Sequence, residues 1–430
     1  MTLFDDVLAT MEFRLAWQQD GIRHLDCQHA QRVNFWRDIL PPHLVDAMRR
    51  QPGVDTFEFD FEPGAVLPRR SESGIVHVRP EDVERRRVDG LEIVPRLGRF
   101  YPRGTLSGVP GVFRENAQPF RCIGLTEDRL TADLNHPLSG KRLGLEVRVH
   151  ELRPKFDEHG GAAADWLEMA TTGPGIQARA NGTPTDFFAD DPFARLDGDD
   201  DGIFYERPRL VQHIDDAAIA VVSRLYGKLI RPGADVLDLL GSWTSHLPES
   251  LPLNSLAVLG MNGEELAANP RATERVVHDL NRDPTLPFAE GRFDAVVCTV
   301  SVEYLTRPFD VFAEAARVLK PGGVFAATFS NRWFPPKAIR VWPVLHEFER
   351  MGLVLEYFLN SGKYNQLQTY SLRGLPRPAN DKYAAQLPYS DPVYAVWGQK
   401  GRTLPCGIPT PRSRSTRCSP RGRASALSVR

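Results

Sequence analysis

The stretch VLDLLGSWTSHLP, residues 236–248, joins an apolar strand to a run of small and polar residues. Asp238 lies inside the strand, and a single glycine, Gly241, follows it. Glycine allows the turn after such a strand to approach a nucleoside or phosphate closely. Ser242 and Ser245 stand where further glycines would be expected, and small hydroxyl residues still permit a fairly close approach. The stretch therefore predicts a ligand-binding turn of unusual composition.

Short apolar strands alternate with helical patterns over residues 205–400. We interpret FDAVVCTV, GGVFAATFS and LVLEYFL as strands, and DVFAEAARVL and VWPVLHEFERMG as helices. This alternation predicts an α/β fold with a parallel sheet that is covered on both faces. Ligands of such sheets bind at the carboxyl ends of the strands. We therefore expect residues 241–246, residues 260–262 and Asp279 to lie along one rim.

The segment HDLNRDPTLPFAEGRFDAVVCTVSVEYLTRPFDVFAEAARVLKPGG resembles the central part of class I S-adenosylmethionine-dependent methyltransferases. An acid followed by an apolar residue, then LPF, FD.V, a helix and RVLKPGG, occur in the order of that family. The resemblance covers roughly residues 200–400. It implies a Rossmann-like α/β domain with S-adenosylmethionine as cofactor.

The resemblance also implies which residues contact the cofactor. Asn262 stands where the family has an acid that binds the ribose hydroxyls, and Glu264 or Glu265 is an alternative for that role. Trp243 packs on the ligand or in the core, and His246 lies at the rim or at a helix start. The candidate cofactor-binding residues are Asp238, Gly241, Ser242, Asn262, Asp279 and Leu280.

Residues after the fourth strand of the domain are expected beneath the transferred methyl group. In CTVSVEYL these substrate-side, catalytic candidates are Ser301, Glu303 and Tyr304. Methyl transfer needs positioning and desolvation more than a protein nucleophile, so the lack of an obvious base or nucleophile does not argue against activity.

Residues 1–155 are rich in strands with alternating apolar residues, such as MEFRLAW and DTFEFDFEPG. This region resembles SlyD-like, FKBP-type prolyl isomerases, with DLNHPLSGKRLGLEV as the most specific part. The resemblance implies a β-rich half-barrel with an insert-in-flap segment at about 96–141. Residues 65–67 are Ala-Val-Leu, so the tyrosine of the family's pocket is missing. The remaining pocket candidates are Asp26, Phe35 and Leu40.

Two further segments have distinct compositions. Residues 156–204 are rich in Gly, Ala and Asp and predict a linker or loosely folded lead-in. Asp197, Asp199 and Asp201 match the start of a calcium-binding loop, but Pro208 stands where the bidentate Glu should be. Residues 401–430 contain Arg, Pro and Ser without an acid, which predicts a disordered basic tail.

The whole composition narrows the class of protein. A formal net charge of −2 gives no electrostatic case for nucleic acid or an anionic membrane as partner. Five cysteines without CxxC pairs argue against a disulfide framework or a zinc site, so we predict no metal. No run of about 18 apolar residues occurs. These features predict a multidomain cytoplasmic protein.

These patterns lead to a methyltransferase fused to an isomerase-type domain that binds substrate. The methyl acceptor, a protein or a small molecule, is not specified, and an unfolded or proline-containing polypeptide is a possible partner. The alternative is a peptidyl-prolyl isomerase or folding chaperone with a non-catalytic methyltransferase fold as platform. A third hypothesis is a small-molecule methyltransferase whose N-terminal domain only aids assembly.

Overall fold

The computed structural model describes residues 7–88, 91–155 and 161–401. Residues 402–430 of the predicted tail, and residues 156–160 of the predicted linker, lie outside this range. The strands in chain order are β1 (Val7–Gln19), β2 (Ile22–Asn34), β3 (Thr56–Phe61), β4 (Ile75–Val78), β5 (Arg86–Val88), β6 (Leu91–Ile93), β7 (Phe100–Pro102), β8 (Pro119–Leu125), β9 (Leu130–Asp133), β10 (Leu143–Pro154), β11 (Ala234–Leu239), β12 (Leu253–Gly260), β13 (Glu274–Val277), β14 (Phe293–Thr299), β15 (Leu319–Phe329), β16 (Tyr364–Arg373) and β17 (Val393–Lys400).

Helices are concentrated in the second half of the chain. The α-helices are α1 (Leu44–Arg50), α2 (Trp166–Thr171), α3 (Asp201–Phe204), α4 (Asp216–Leu229), α5 (Gly263–Ala267), α6 (Pro308–Val318), α7 (Val341–Val344) and α8 (Glu347–Ser361). Short 3₁₀ helices include Pro174–Gln177 and Val302–Tyr304. Within the described ranges, no helix combines the length and apolar character needed to cross a membrane.

One mixed sheet of eleven strands runs in the order β13-β12-β11-β14-β15-β17-β16-β2-β1-β10-β3. The first five of these strands pair in parallel, and β17 is antiparallel to both β15 and β16. The chain builds the sheet outwards from β11 through β12 to β13, and then returns to place β14 and β15 on the other side of β11, so strand order reverses between β11 and β14. In parallel sheets this reversal opens a crevice at the carboxyl ends of the strands.

Helices cover both faces of the parallel part, as the alternating pattern predicts. On one face α4 and α5 pack through residues such as Tyr226 and Leu266. On the other face α6 and α8 pack through Phe312 and Tyr357. The strands between these two layers are buried on both sides, which explains their nearly continuous apolar sequences. The predicted α/β architecture of the C-terminal region is confirmed.

The segment LVLEYFL, predicted as a strand, is instead part of α8. The helix begins with a capping box in which Glu349 accepts from the backbone N–H of His346 at 3.1 Å. Residues 349–358 are all buried. The run LVLEYFL is apolar at all but one position, and a short buried run of this kind cannot be told from a buried strand by its own period.

The N-terminal strands extend the same sheet. Residues 23–28 of β2 pair in parallel with residues 368–373 of β16. Two buried side-chain hydrogen bonds join the strands: Ser371 donates to Asp26 at 2.5 Å, and His24 shares one with Thr369 at 2.8 Å. The separate FKBP-like half-barrel expected for residues 1–155 differs from this arrangement. Pairing with β16 satisfies an edge of β2 that would otherwise expose its backbone polar groups.

A second, smaller sheet lies outside the main one, with strand order β4-β9-β8-β7. Its core includes Phe120, Cys122, Leu130 and Ala132. The strands β5 and β6 form a separate hairpin. The insert predicted at 96–141 covers only three of the four strands, because residues 75–78 pair with β9.

The described part of the predicted linker, residues 161–204, is packed against both regions. The indole of Trp166 donates to Asp38 at 2.9 Å, and Arg179 forms a salt bridge with the buried Glu356. Phe187 is only 2% exposed. The prediction of a loosely folded lead-in is therefore wrong for these residues, since their few aromatic side chains bury well despite the Gly, Ala and Asp around them.

Candidate functional site

A cleft opens at the carboxyl ends of β11, β12 and β14. It encloses about 1060 Å³ including its open mouth. Most of the predicted site residues line it together: Asp238, Gly241, Ser242, Asn262, Asp279, Leu280, Ser301 and Tyr304. Ligand sites of this volume are typical for small molecules and cofactors.

Two glycines shape the floor of the cleft. The backbone N–H of Gly241 donates to the carbonyl of Leu259 at 2.8 Å. A Cβ added at Gly260 would lie 2.2 Å from the carbonyl oxygen of Gly241. The turn begins at Leu240 with φ 57°, a left-handed conformation that is costly for a leucine. Residues 240–252 form a loop without a helix before β12, so the turn is held by this close crossing of two strands.

Asp238 supplies an acid from beneath the turn. Its side chain is 2% exposed, and among the described residues its Oδ2 atom has no hydrogen-bond partner. Burial raises the pKa of this carboxyl to about 7, against a lowering effect of the Ser245 hydroxyl. A buried acceptor without a partner is costly unless a ligand satisfies it. A cationic hydrogen-bond donor would do so.

Glu265 supplies a second acid at the end of β12. Ser242 donates its hydroxyl to Glu265 at 2.5 Å, and the backbone N–H of Arg209 donates to the other carboxylate oxygen at 2.7 Å. The carboxylate lines the cleft beside the turn. Of the two alternatives predicted for the ribose acid, Glu265 lines the cleft and Glu264 is not among its lining residues.

Asn262 has a different function from the one predicted. Its Oδ1 accepts from the N–H groups of Glu264 and Glu265 at 2.9 and 3.0 Å, which caps α5. Its amide nitrogen donates to the carbonyls of Tyr205 and Glu206 at 2.8 and 3.0 Å. The whole amide is occupied, so Asn262 is a structural clamp between α5 and the segment 205–206, and the prediction that it binds ribose hydroxyls is wrong.

Asp279 and Leu280 follow β13 and line the far side of the cleft. One oxygen of Asp279 accepts from the N–H groups of Asn281 and Arg282 at 2.9 and 3.2 Å, which closes the loop. The Leu280 side chain is 1% exposed and belongs to the core. Asp279 thus keeps one carboxylate oxygen beyond its loop-capping role.

Two of the three predicted substrate-side residues after β14, Ser301 and Tyr304, line the cleft. Ser301 donates to the carbonyl of Thr299 at 2.9 Å, and the Tyr304 hydroxyl accepts from the N–H of Phe334 at 2.8 Å. Val300 precedes them with φ 43°, a strained conformation for a β-branched residue.

Glu303 does not face the cleft. The 3₁₀ turn directs it inward, where it is 0% exposed and neither carboxylate oxygen has a partner among the described residues. Burial raises its pKa to about 8. The prediction that Glu303 contacts substrate is therefore wrong for this conformation.

Residues 205–213, which follow the lead-in, contribute an aromatic roof that sequence reasoning missed. Tyr205, Arg209 and His213 line the cleft together with Phe334. The Arg209 guanidinium lies 5.6 Å from the Phe334 ring centroid, and His213 meets the same ring edge-on at 5.1 Å. The run FYERPRLVQH, with its aromatic and basic residues, was the available signal.

Trp243 and His246, for which the sequence allowed two positions each, also line the cleft. Trp243 donates to the carbonyl of Val211 at 3.4 Å, and His246 is largely buried. Burial first, and then the nearby His213, lowers the pKa of His246 to about 4. The imidazole is therefore neutral at physiological pH.

The acidic loop that resembled a calcium site holds an internal cation instead. The ammonium of Lys337 lies 3.0 Å from Asp197 and 3.1 Å from Asp201, and its side chain is fully buried. Arg195 donates to both oxygens of Asp201 at 2.8 Å. These pairs anchor the lead-in next to the cleft.

The residues predicted for an isomerase pocket lie in closed surroundings. Asp26 is 2% exposed and accepts from the N–H of Gly175 at 2.9 Å. Phe35 and Leu40 are partly buried against the core between β1, β2 and α2. Because residues 173–175 cover Asp26 directly, no open pocket forms at this carboxylate.

Comparison with known proteins supports an assignment of the C-terminal region. The sequence model of a family described as a methyltransferase domain matches residues 241–327. The C-terminal region has the class I, Rossmann-like methyltransferase fold. This class takes its methyl group from S-adenosylmethionine, which is the cofactor that the resemblance implied.

A curated relative agrees with this domain. It is described as an uncharacterized methyltransferase from Mycolicibacterium gilvum (strain PYR-GCK), and it is 29% identical over 140 residues. The alignment covers 32% of this chain and 47% of the relative, so the chain spans about half of the relative's length.

Solved structures similar to the methyltransferase region include two enzymes. An S-adenosylmethionine-dependent methyltransferase from Mesorhizobium loti is 14% identical, with a TM-score of 0.29, over 41% of this chain and 96% of its own. Phosphoethanolamine N-methyltransferase 2 of Haemonchus contortus, in complex with S-adenosylhomocysteine, is 12% identical, with a TM-score of 0.32, over 44% and 53%. These findings concern the C-terminal region and give no support to an FKBP-like N-terminal domain.

Proposed function

We propose that the cleft binds S-adenosylmethionine and that the protein transfers its methyl group to a small acceptor. The observation that carries the proposal is the pair of acids at the ends of β11 and β12. Asp238 has an unpartnered carboxylate oxygen, and Glu265 presents its carboxylate at the neighbouring strand end. The cofactor has a cationic amine and a ribose diol, which need acceptors of this kind.

The residues present fit the cofactor in several ways. Asp238 would accept from its ammonium group, and Glu265 with Ser242 would bind the ribose hydroxyls. Gly241 and Gly260 keep the floor free of side chains, since a Cβ at either position would lie within 2.6 Å of other atoms. Asp279 and Leu280 would flank the adenine. When bound, S-adenosylmethionine supplies a methyl group on a positively charged sulfur.

The acceptor would enter through a second pocket that adjoins the cleft. This pocket shares His213, Tyr304 and Phe334 with the cleft and adds Arg332 and Trp333. It encloses about 420 Å³ including its opening. Its aromatic walls and the Arg332 guanidinium suit a planar acceptor that carries a negative charge.

His213 lies at the junction of the two pockets and is the group that would take the acceptor's proton. Burial lowers its pKa, against a raising effect of Glu265. The imidazole is therefore neutral near pH 7 and able to act as a base. Replacement by His213→Gln would keep the shape and remove the base. We expect such a variant to bind cofactor normally and to lose roughly a hundredfold in turnover of an acceptor with an O–H or N–H nucleophile.

Calorimetric titration of the full chain with S-adenosylmethionine and S-adenosylhomocysteine tests the proposal. Both ligands should bind, and Asp238→Asn and Glu265→Gln should each weaken binding by roughly tenfold or more, because each removes a charge-assisted hydrogen bond. Glu249→Gln, which changes an exposed acid on the same loop, is the matched control. Absence of binding at millimolar ligand, from folded protein, would refute the proposal.

The competing hypothesis is a prolyl isomerase or chaperone on a non-catalytic methyltransferase platform. No comparison supports it, and Asp26 is sealed by the segment around Gly175. We expect the full chain not to accelerate refolding of a test protein that is limited by proline isomerisation. Acceleration that depends on Phe35 or Leu40 would favour the competing hypothesis.

A further inference from the structure

A cluster of potential metal ligands lies far along the sheet from the cleft, on the N-terminal strands. Glu12 of β1, His29 of β2 and His150 of β10 each offer one ligand atom, and these three atoms lie within 4.8 Å of one another. The two imidazole rings are stacked, with centroids 5.7 Å apart. His150 is exposed, whereas the other two side chains are half-buried.

The register of the sheet brings these residues together. Glu12 lies directly opposite His29 in the β1–β2 ladder. On the other side, Met11 pairs with Val149 and Thr10 with Glu151, so His150 is the extra residue of a β-bulge. A second bulge lies beside it in β2, where Arg32 has φ 58°. Bulges re-aim side chains, and they are over-represented next to functional sites.

We infer that Glu12, His29 and His150 form a binding site for a divalent metal ion of the zinc type. Two imidazoles and a carboxylate are ligands that Zn²⁺ accepts, and a water would complete a four-coordinate shell. Bonds of about 2.0–2.2 Å require the ligand atoms to close by roughly an ångström. The exposed His150 side chain has room to rotate towards the other two ligands.

The surroundings of the cluster are compatible with a cation. Arg14 donates to one oxygen of Glu12 at 3.0 Å, and it also pairs with Glu146 at 3.3 Å. A carboxylate has a second oxygen to offer an ion. His29 and His150 each have two ring nitrogens, and either nitrogen of a neutral imidazole can ligate a metal ion.

The position of the cluster suggests what the ion does. Its ligands come from three adjacent strands, and one of them, β2, pairs with β16 of the methyltransferase region. An ion bound here would cross-link these strands in the native state only. Since ligands that bind the native state raise stability by mass action, the ion would stabilise the attachment of the N-terminal strands.

Zinc titration of the chelator-treated full chain, followed by calorimetry and thermal unfolding, tests the inference. The wild type should bind one equivalent and unfold at a higher temperature with zinc. His29→Ala and His150→Ala should weaken binding by roughly tenfold or more and abolish the temperature shift. His77→Ala, which changes an exposed histidine of the second sheet, is the control and should behave as wild type.

His150→Ala keeps the test decisive if His29→Ala does not fold, because an exposed side chain contributes little to the core. Glu12→Gln supplies a third variant, with the same shape and a weaker ligand. The inference is overturned if the wild type binds no zinc, or if His150→Ala binds it as tightly as His77→Ala. Neither result would affect the proposed cofactor cleft, whose ligand is titrated separately.

Discussion

The close crossing of Gly241 and Gly260 makes a sharp prediction for the variant Gly260→Ala. The new methyl group would lie 2.2 Å from the Gly241 carbonyl oxygen and 3.2 Å from Cδ2 of Leu266. Real Cβ contacts essentially never fall below 3.0 Å, and the first of these atoms is backbone. The φ angle of Gly260 does not lie in the left-handed region, so the effect is steric. The turn after β11 must therefore move.

Two consequences are expected from this displacement. Overpacking of a well-packed site costs about 1–3 kcal/mol of unfolding free energy. A turn that moves by nearly an ångström also misplaces the backbone that faces the ligand. We expect a lower urea midpoint and S-adenosylmethionine binding that is weaker by roughly tenfold to a hundredfold.

Gly263→Ala is the matched control, three residues further along the chain. A Cβ there would lie 3.6 Å from Cγ2 of Val277, an ordinary contact. Calorimetry for affinity and urea unfolding for stability should separate the two variants. If Gly260→Ala binds the cofactor and unfolds as Gly263→Ala does, the close crossing does not shape the site and the reasoning fails.

Three further predictions use the buried polar groups. The folded-state pKa of Asp238 is raised to about 7 from 3.8, so the native protein binds one more proton than the unfolded chain between these pH values. The contribution of Asp238 to stability therefore falls as pH rises from about 4 to 7. Because the carboxylate form binds the cofactor, affinity measured by calorimetry should rise over pH 6–8, and Asp238→Asn should flatten that rise. Asn262→Asp would turn a carboxylate oxygen towards two carbonyls and should cost about 1–3 kcal/mol in urea unfolding, whereas loss of cofactor binding without loss of stability would contradict the clamp role. Lys337→Met removes one of the two cations that balance the buried charge of Asp201, so it should lower the free energy of unfolding by about 3 kcal/mol. Added calcium should not restore this stability. Rescue by millimolar calcium would mean that the loop is a metal site.

Local hydrophobic patterns in the sequence were sufficient to predict the strands and helices of the parallel half of the sheet. The apolar run around Asp238 is β11, and DVFAEAARVL is α6. These predictions succeed because parallel strands are buried on both faces and α6 is amphipathic, so hydrophobicity and period agree with the fold. The opposite case is α8, whose nearly continuous apolar run LVLEYFL is too short to distinguish a buried helix from a buried strand.

The roles of polar side chains were harder to predict. Asn262 and Glu303 occupy positions where the family resemblance implies contact with cofactor or substrate. The amide of Asn262 bonds α5 and the backbone of residues 205–206, and the Val302–Tyr304 turn directs Glu303 into the core. Such outcomes depend on which backbone groups lie within about 3 Å, and sequence spacing does not contain that information.

The sequence by itself determined the βαβ alternation of residues 205–400 and the order of motifs that identifies a methyltransferase domain. Only the tertiary structure decided that β2 pairs with β16, that residues from 201–213 line the cleft, and that the Glu265 carboxylate lies beside the turn at Ser242. The physical reason is separation along the chain. Hydrophobic period and glycine position act over a few residues, whereas an edge pairing or a roof joins segments that are far apart in sequence.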